Sequence, residues 1–241
     1  MVLVITAALA PVAQPAQAAL PLAGKIVALN PGHDGGNSSH PIFINRIIYA
    51  GNGLWKACDT VGTTTRAGYS EHALTWDVAN RTAAILRTEG AKVVLTRGTD
   101  TGAGPCVNTR AEFANASLAN AVVSLHGDGS FVTGARGFHV IYPGAASTPY
   151  ALRQSSTRLA LKLRAGFAHT ASMPYANYVA GGTALQARSD LAGLNLTKRP
   201  AVFIEMGNMK NSTDAAIMTT PAGRQRLARG VAAGITAFLT S

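Results

Sequence analysis

Two histidines and a glutamate of this 241-residue chain follow directly on apolar, strand-like runs. His33 comes after Asn30-Pro31-Gly32, while His126 and Glu205 immediately follow their runs. The carboxyl ends of parallel strands meet at one edge of an open α/β sheet, where such sheets build their ligand sites. Imidazoles and carboxylates can bind a metal ion or move protons. The placement therefore predicts an active site at this edge.

A fourth candidate, Glu71, begins a predicted helix after the N-cap residue Ser70. Catalytic zinc sites commonly take three protein ligands and leave the fourth position to water, a count that two histidines and one glutamate meet. Taken singly, each residue has a structural interpretation as a turn histidine, a helix-dipole carboxylate, a strand-end histidine or a salt-bridged glutamate. Three ionisable groups directly after buried strands favour a shared site instead, because such groups need partners.

Hydrophobic periodicity predicts the elements that position these residues. Alternating strands and helices indicate an α/β fold, a single domain with a mostly parallel central sheet and helices on both faces. Residues 34–69 and 172–200 are predicted to be loops. The predicted strands span residues 24–29, 91–97, 121–125, 137–142 and 201–204, and the predicted helices span 71–89, 107–118, 148–168 and 214–239.

The chain begins with an apolar, small-residue segment without charge before Lys25. Its Ala16-Gln17-Ala18 string has the small-x-small form of a signal peptidase site, so we expect residues 1–18 to be the remnant of a signal peptide; an ordinary apolar tail is the alternative. Cys58 and Cys106 are the two cysteines. An even count in an exported protein favours a disulfide between them, with two free thiols as the alternative.

The formal net charge of +10 is spread along the chain rather than clustered. Such a balance favours encounters with polyanions. The sequence has no recognisable nucleic-acid-binding motif, so an acidic cell-wall polymer is the expected partner and nucleic acid is not. No apolar run after residue 25 is long enough to cross a bilayer, and we expect a monomer without a transmembrane segment in the mature chain.

Four ordered motifs resemble the zinc-dependent N-acetylmuramoyl-L-alanine amidases of the amidase-3 type, which hydrolyse peptidoglycan. They are Ile26 to His33, Ser70-Glu71 with its helix, Ser124-Leu125-His126, and Pro200 to Asn208. The resemblance covers most of the chain after residue 24. It implies that His33, Glu71 and His126 hold one Zn²⁺ and that Glu205 is the catalytic carboxylate. It also implies a catalytic domain over residues 24–241, and we expect no separate cell-wall-binding domain.

The resemblance has departures near the expected ligands. The family usually has Asp at the position of Asn30 and Gly at that of Asp34, and it has His-Ala-Asn where this chain has His126-Gly127-Asp128. The ligands themselves are intact, so the differences concern the groups that surround the metal.

The implied reaction is hydrolysis of the amide between N-acetylmuramic acid and L-alanine, in peptidoglycan or its fragments, outside the cytoplasm. Arg188 and Asn208 are candidates for contacting the substrate, with structural roles as the alternative. A zinc peptidase that cleaves within the stem peptide is a second interpretation. A third is a wall-binding protein that keeps the fold but has no catalytic activity.

Overall fold

A computed structural model describes residues 19–144 and 148–241. The predicted signal peptide remnant, residues 1–18, lies outside the described residues. The helices and strands, in chain order, are β1 Ile26–Pro31, α1 Pro41–Ile44, β2 Ile47–Tyr49, β3 Trp55–Ala57, α2 Glu71–Thr88, β4 Lys92–Leu95, α3 Val107–Ala116, β5 Ala121–Asp128, β6 His139–Pro143, α4 Tyr150–Ala171, β7 Leu185–Arg188, α5 Ala192–Asn195, β8 Ala201–Asn208, α6 Ser212–Met218 and α7 Pro221–Leu239.

The central sheet has the strand order β4-β1-β5-β8-β6-β7. The first four strands are parallel, β6 is antiparallel to β8, and β7 is parallel to β6. The runs of Val, Ile, Leu and Ala in β1, β5 and β8 are buried, as expected of strands covered on both faces. The prediction of a mostly parallel sheet is confirmed.

Helices cover both faces of this sheet, as predicted. On one face α2, α4 and α7 bury a large apolar cluster that includes Leu74, Leu163 and Val231. On the other face a smaller cluster, with Ala114 and Leu194, lies beneath α3 and α5. The larger cluster packs against one face of the strands. On the opposite face, the smaller cluster leaves room for a site near the carboxyl ends of β1, β5 and β8.

Three of the local predictions were wrong. The stretch 34–69 is not all loop, because it contains α1 and the two-stranded antiparallel sheet of β2 and β3, and 172–200 contains β7 and α5. These elements are three or four residues long, too short for periodicity to reveal. The final helix is two helices, since the chain turns before Pro221 and the hydroxyl of Thr220 caps α7 by accepting from the Gly223 N–H.

Within residues 19–144 and 148–241, every helix is too short or too polar to span a bilayer.

Candidate metal and catalytic site

The structure brings His33, Glu71 and His126 together. One potential ligand atom from each residue lies within 4.8 Å of the other two. The Glu71 Oε1 atom is 3.1 Å from His33 Nε2 and 2.9 Å from His126 Nδ1. The two imidazole rings are 5.1 Å apart and perpendicular. Two nitrogens and one carboxylate oxygen thus converge on a single point, although the residues are far apart along the chain.

Regular secondary structure places three of the four predicted residues. His126 and Glu205 are paired on the adjacent parallel strands β5 and β8, and both strands continue past them, further than the sequence predicts. Glu71 is the first residue of α2. His33 is different, because it lies two residues beyond β1 with a φ of 60°, in the left-handed region. A residue other than glycine is strained there, so His33 needs support from its surroundings.

The Glu71 carboxylate is fixed by two backbone groups. The N–H of Thr63 donates to Oε2 over 2.9 Å, and the N–H of Gly127 donates to Oε1 over 3.1 Å. Because Gly127 directly follows His126, the Glu71 carboxylate connects the first turn of α2 to β5, the strand that carries His126. The carboxylate orientation is therefore set before any ion binds.

Two glycines allow the cluster to close. A β-carbon on Gly32 would lie 2.3 Å from Cε1 of His126. On Gly62, whose φ is +75°, it would lie 2.7 Å from Cδ2 of His33 and 2.8 Å from Oε2 of Glu71. These distances are far below van der Waals contact. Both positions therefore require glycine. At Gly32 the His126 ring packs directly against the backbone; at Gly62 the side chains of His33 and Glu71 do so, and the backbone is also in the left-handed region.

The cluster stabilises a positive charge. Burial by itself would lower the pKa of His33, but the carboxylates of Glu71 and Asp59 outweigh it and raise that pKa to about 10. Burial lowers the pKa of His126. Although burial opposes ionisation of Glu71, the two imidazoles hold its pKa below the ordinary range. A buried carboxylate between two imidazoles therefore favours positive charge at the cluster, which a bound metal cation would supply.

The surroundings of Nδ1 orient the His33 ring. Its Nδ1 lies 3.0 Å from the carbonyl oxygen of Thr60 and 3.5 Å from Oδ1 of Asp59. With its pKa raised, the ring carries a proton on both nitrogens in the absence of a metal. A cation that replaced the Nε2 proton would leave Nδ1 as the donor to Thr60 and Nε2 facing Glu71 and His126. The carboxylate of Asp59 in turn accepts a hydrogen bond from the guanidinium of Arg110, which is 2% exposed. Neither residue was predicted, because each lies in a loop or helix whose sequence carries no recognisable motif.

Glu205 is partly buried beside the cluster, opposite His139 on β6. Its Oε2 atom has no hydrogen-bond partner among the described residues. Burial, with the negative charges of Glu71 and Asp128, raises the pKa of the Glu205 carboxyl well above its ordinary value. Asp128 accepts a hydrogen bond from the hydroxyl of Tyr178 over 2.7 Å. Glu205 is therefore a carboxyl group free to exchange a proton with a molecule in the site.

A cavity of about 330 Å³ opens onto the cluster and Glu205. Its walls include Arg188, at the end of β7, and Phe203, which stacks on the His126 ring. A second cavity of about 200 Å³ lies on the other side of His33 and His126 and includes Lys56 and Asp190. The two cavities share His33, His126, Leu191 and Phe203 among others. Together they form a groove that passes over His33, Glu71 and His126, the ligand cluster.

The two candidates for substrate contact have different surroundings. Arg188 lines the cavity with Glu205, and its guanidinium donates two hydrogen bonds to Asp190, which also pairs with Lys56 over 3.3 Å. Asn208 is 1% exposed, and its amide nitrogen donates to the carbonyls of Ser130 and Ala135. It thus holds the loop after β5 against β8, away from the cavity over Glu205.

Cys58 and Cys106 form a disulfide, as predicted. Cys58 directly precedes Asp59, and Cys106 is the N-cap of α3. The bond therefore joins the segment beside His33 to the helix that carries Arg110.

Comparison with known proteins points to one family. Residues 27–237 match the Amidase_3 family, described as N-acetylmuramoyl-L-alanine amidase. The N-acetylmuramoyl-L-alanine amidase Rv3717 of Mycobacterium tuberculosis is 40% identical over 239 residues, which is 99% of this chain and 96% of that protein.

Solved structures give the same result. The N-acetylmuramyl-L-alanine amidase Ami1 from Mycobacterium smegmatis is 42% identical with a TM-score of 0.84, covering 90% of this chain and 98% of that one. The apo form of Ami1 from Mycobacterium abscessus is also 42% identical, with a TM-score of 0.81 and coverage of 90% and 99%.

Proposed function

Because the chain belongs to the Amidase_3 family and is an N-acetylmuramoyl-L-alanine amidase, we propose that His33, Glu71 and His126 hold a catalytic Zn²⁺ and that Glu205 transfers the protons of the reaction. The substrate bond is the amide that joins N-acetylmuramic acid to L-alanine. The observation that carries this proposal is the convergence of three potential ligand atoms within 4.8 Å, with the partly buried carboxyl group of Glu205 lining the same cavity.

The donor set fits zinc. Two imidazole nitrogens and one carboxylate oxygen are a ligand combination of catalytic zinc sites, and the adjoining cavity leaves a fourth position open to water and substrate. A zinc ion bound there would lower the pKa of a coordinated water and polarise the scissile carbonyl. The hydrogen bond of His33 Nδ1 to the Thr60 carbonyl and the two backbone bonds of Glu71 orient their ligand atoms.

Glu205 is suited to move the protons. Its carboxylate accepts a proton from the attacking water, and its protonated form then donates that proton to the leaving nitrogen of L-alanine. Glu205 lines the cavity that opens onto His33, Glu71 and His126, which places its carboxyl group next to the space that water and substrate would occupy. Since burial raises the Glu205 pKa, the carboxylate is a stronger base than an exposed glutamate, while the positive charge of a bound cation acts in the opposite direction.

Arg188 is suited to bind the stem peptide. Arg188 lines the cavity that contains Glu205, and its guanidinium donates two hydrogen bonds to Asp190, which lines the adjoining cavity. The stem peptides of peptidoglycan carry carboxylates, and arginine binds carboxylates with two parallel hydrogen bonds. We propose that one substrate carboxylate competes with Asp190 for this guanidinium and so sets the register of the peptide.

The decisive test combines a substitution with identification of the cleaved bond. Purified Glu205→Gln should bind zinc like the unaltered chain but hydrolyse muropeptides about 10²- to 10⁴-fold more slowly. Glu112→Gln, on the exposed side of α3, is the matched control and should keep full activity. Mass spectrometry of the wild-type digest should reveal peptides that begin with L-alanine, and chelation should stop the reaction until zinc is restored.

Other results would favour the alternative functions. New amino termini inside the stem peptide would identify a peptidase. Full activity of Glu205→Gln, or activity that survives exhaustive chelation, would contradict the proposed catalytic residues and metal.

We further propose that the protein works outside the cytoplasm. Its polymeric substrate is a cell-wall component, and the Cys58–Cys106 disulfide is of the kind that persists in oxidising compartments. Immunodetection in fractionated cells, beside a cytoplasmic marker, would test this location. Recovery of the chain only with the marker would contradict it.

A further inference from the structure

His33 depends on neighbouring groups for its position. This proposed metal ligand lies beyond the end of β1, and its backbone is in the left-handed region. Its position is therefore not set by the hydrogen bonds of a strand or a helix. Its backbone conformation is one that side-chain-bearing residues rarely adopt. Such a conformation persists when surrounding contacts impose it.

Arg110 supplies those contacts to the backbone. Its Nη1 donates to the carbonyl of Pro31 over 2.5 Å, and its Nη2 donates to the carbonyl of His33 over 2.9 Å. One guanidinium thus binds the carbonyls on both sides of Gly32. The Pro31–Gly32 peptide is also held by Arg97 and by Leu125, so the bond to the His33 carbonyl is the contribution specific to Arg110. Additional bonds to the carbonyls of Gly104 and Pro105 hold the guanidinium itself. A lysine could not make this set of bonds, because it lacks the planar fork of donors.

Asp59 connects the same guanidinium to the ring of His33. Its Oδ2 accepts from Arg110 Nη2 over 2.9 Å, and its Oδ1 lies 3.5 Å from His33 Nδ1. The Oδ1 atom also accepts from the N–H of Thr60, whose carbonyl oxygen lies 3.0 Å from the same ring nitrogen. Arg110 and Asp59 therefore act on one ligand, the first through its backbone and the second through its ring.

The disulfide joins the two segments that carry these groups. Cys58 is the residue before Asp59. Arg110 lies one helical turn after Cys106, and the backbone N–H of Arg110 donates to the Cys106 carbonyl. Both cysteines are buried, and the Val107 N–H donates to the Cys58 carbonyl over 2.8 Å. Without the covalent bond, these hydrogen bonds and the Arg110–Asp59 ion pair would hold the Asp59 segment against α3.

We propose that Arg110 and Asp59 are positioning residues for the metal ligand His33, and that the Cys58–Cys106 disulfide is part of this support, so that zinc affinity depends on the disulfide. The inference rests on the proposed metal centre. Groups that orient a ligating histidine typically change metal affinity 10- to 100-fold when they are replaced. A disulfide that only stabilises the fold would change the free energy of unfolding and leave the affinity of the folded protein unaltered.

The experiment measures Zn²⁺ affinity of the full chain by competition with a chromophoric chelator, without substrate. The variants are Arg110→Lys, Asp59→Asn and the double replacement Cys58→Ser/Cys106→Ser. Leu163→Ala, which opens the distant core between α4 and α7, controls for general loss of stability. Circular dichroism at the titration temperature verifies that each variant is folded.

We expect about 10- to 100-fold weaker zinc binding in the Arg110, Asp59 and double-cysteine variants, and unchanged binding in Leu163→Ala. Should the Arg110 or the Asp59 variant fail to fold, the other still tests the positioning role. Should the double serine replacement fail to fold, Cys58→Ala/Cys106→Ala, which buries no hydroxyl group, tests the disulfide in its place. Folded variants with the affinity of the unaltered chain, or an equal loss in Leu163→Ala, would overturn the inference. An unaltered chain that binds no zinc would overturn the proposed metal centre as well, so the two failures can be told apart.

Discussion

Two arginine–aspartate pairs flank the ligand cluster, and they differ in exposure to water. The side chains of Arg110 and Asp59 are 2% and 4% exposed, whereas those of Arg188 and Asp190 are 35% and 45% exposed. The buried pair contacts the backbone and ring of His33, a proposed metal ligand, and the exposed pair lines the groove. One side of the site is therefore fixed, while the other can exchange its hydrogen-bond partners.

The physical reason for this difference is desolvation. Separating a buried ion pair leaves a charge without water or counter-charge, so the pair does not open. An exposed pair exchanges its contacts with water at little cost in free energy. The fixed pair suits the proposed role of His33 as a metal ligand, and the exchangeable pair suits the proposed binding of a substrate carboxylate, which must enter and leave.

The largest expected effect is on stability. Arg110→Ala leaves Asp59 buried without its cation and should lower the free energy of unfolding by about 3–5 kcal/mol. Arg188→Ala should lower it by no more than about 1 kcal/mol, because both members of that pair reach water. Urea denaturation of the two variants, with the disulfide intact, measures the difference. Similar losses at both positions would contradict the assignment of fixed and exchangeable sides.

The next largest expected effect is on catalytic activity, and it concerns the packing of Gly32 against the His126 ring. Gly32→Ala places a methyl group 2.3 Å from the His126 ring, so the imidazole must move. Misplacement of a catalytic group by about 1 Å can cost on the order of 100-fold in kcat/KM. Gly98→Ala is the matched control, since a β-carbon there meets nothing within 4 Å. Normal activity in Gly32→Ala would mean that the ligand ring has freedom that the structure does not show.

The sequence predicted the elements that carry the ligands better than the groups that support them. The runs before His126 and Glu205 and the helix after Glu71 are long and regular, so hydrophobic pattern alone predicts them. Arg110 and Asp59 are 51 positions apart and are brought together by tertiary structure. No local pattern encodes such a pair, which is why resemblance and periodicity both missed it.

The exposed side illustrates a second limit of sequence reasoning. Arg188 could be proposed as a substrate contact from sequence, but its partners could not, because only tertiary structure brings Lys56 and Asp190, 134 positions apart, together beside it. Asn208 lies in a motif shared with the family, yet its amide is bonded to two backbone carbonyls. A motif thus identifies which residues matter without separating those that meet substrate from those that hold loops.

A smaller effect is expected on substrate binding by the exchangeable side. Arg188→Gln should raise KM about tenfold for muropeptides that carry free carboxylates, equivalent to about 1.4 kcal/mol, with little change in stability. Arg188→Lys should be intermediate, because it keeps the charge but not the two-pronged geometry. Muropeptides with amidated carboxylates provide the comparison and should be hydrolysed equally by all three proteins. An equal increase in KM for amidated substrates would show that Arg188 does not bind a carboxylate.

The smallest effect is the pH dependence of the exposed pair. Hydrogen bonds from Arg188, reinforced by the charge of Lys56 and opposed by partial burial, lower the pKa of Asp190 from 3.8 to about 2. Because this pKa is lower in the folded state than in the unfolded chain, the contribution to stability is complete above about pH 4 and is lost as the pH falls toward about 2.

Comparison of wild type with Asp190→Asn isolates that contribution. The difference in free energy of unfolding should be at most about 1 kcal/mol at neutral pH, should shrink in high salt and should vanish near the folded-state pKa. Denaturation curves at several pH values, on metal-free protein so that ligand protonation does not differ between the two, measure it. A difference that persists at low pH and high salt would mean that Asp190 acts through packing, and the exposed side would then be as fixed as the buried one.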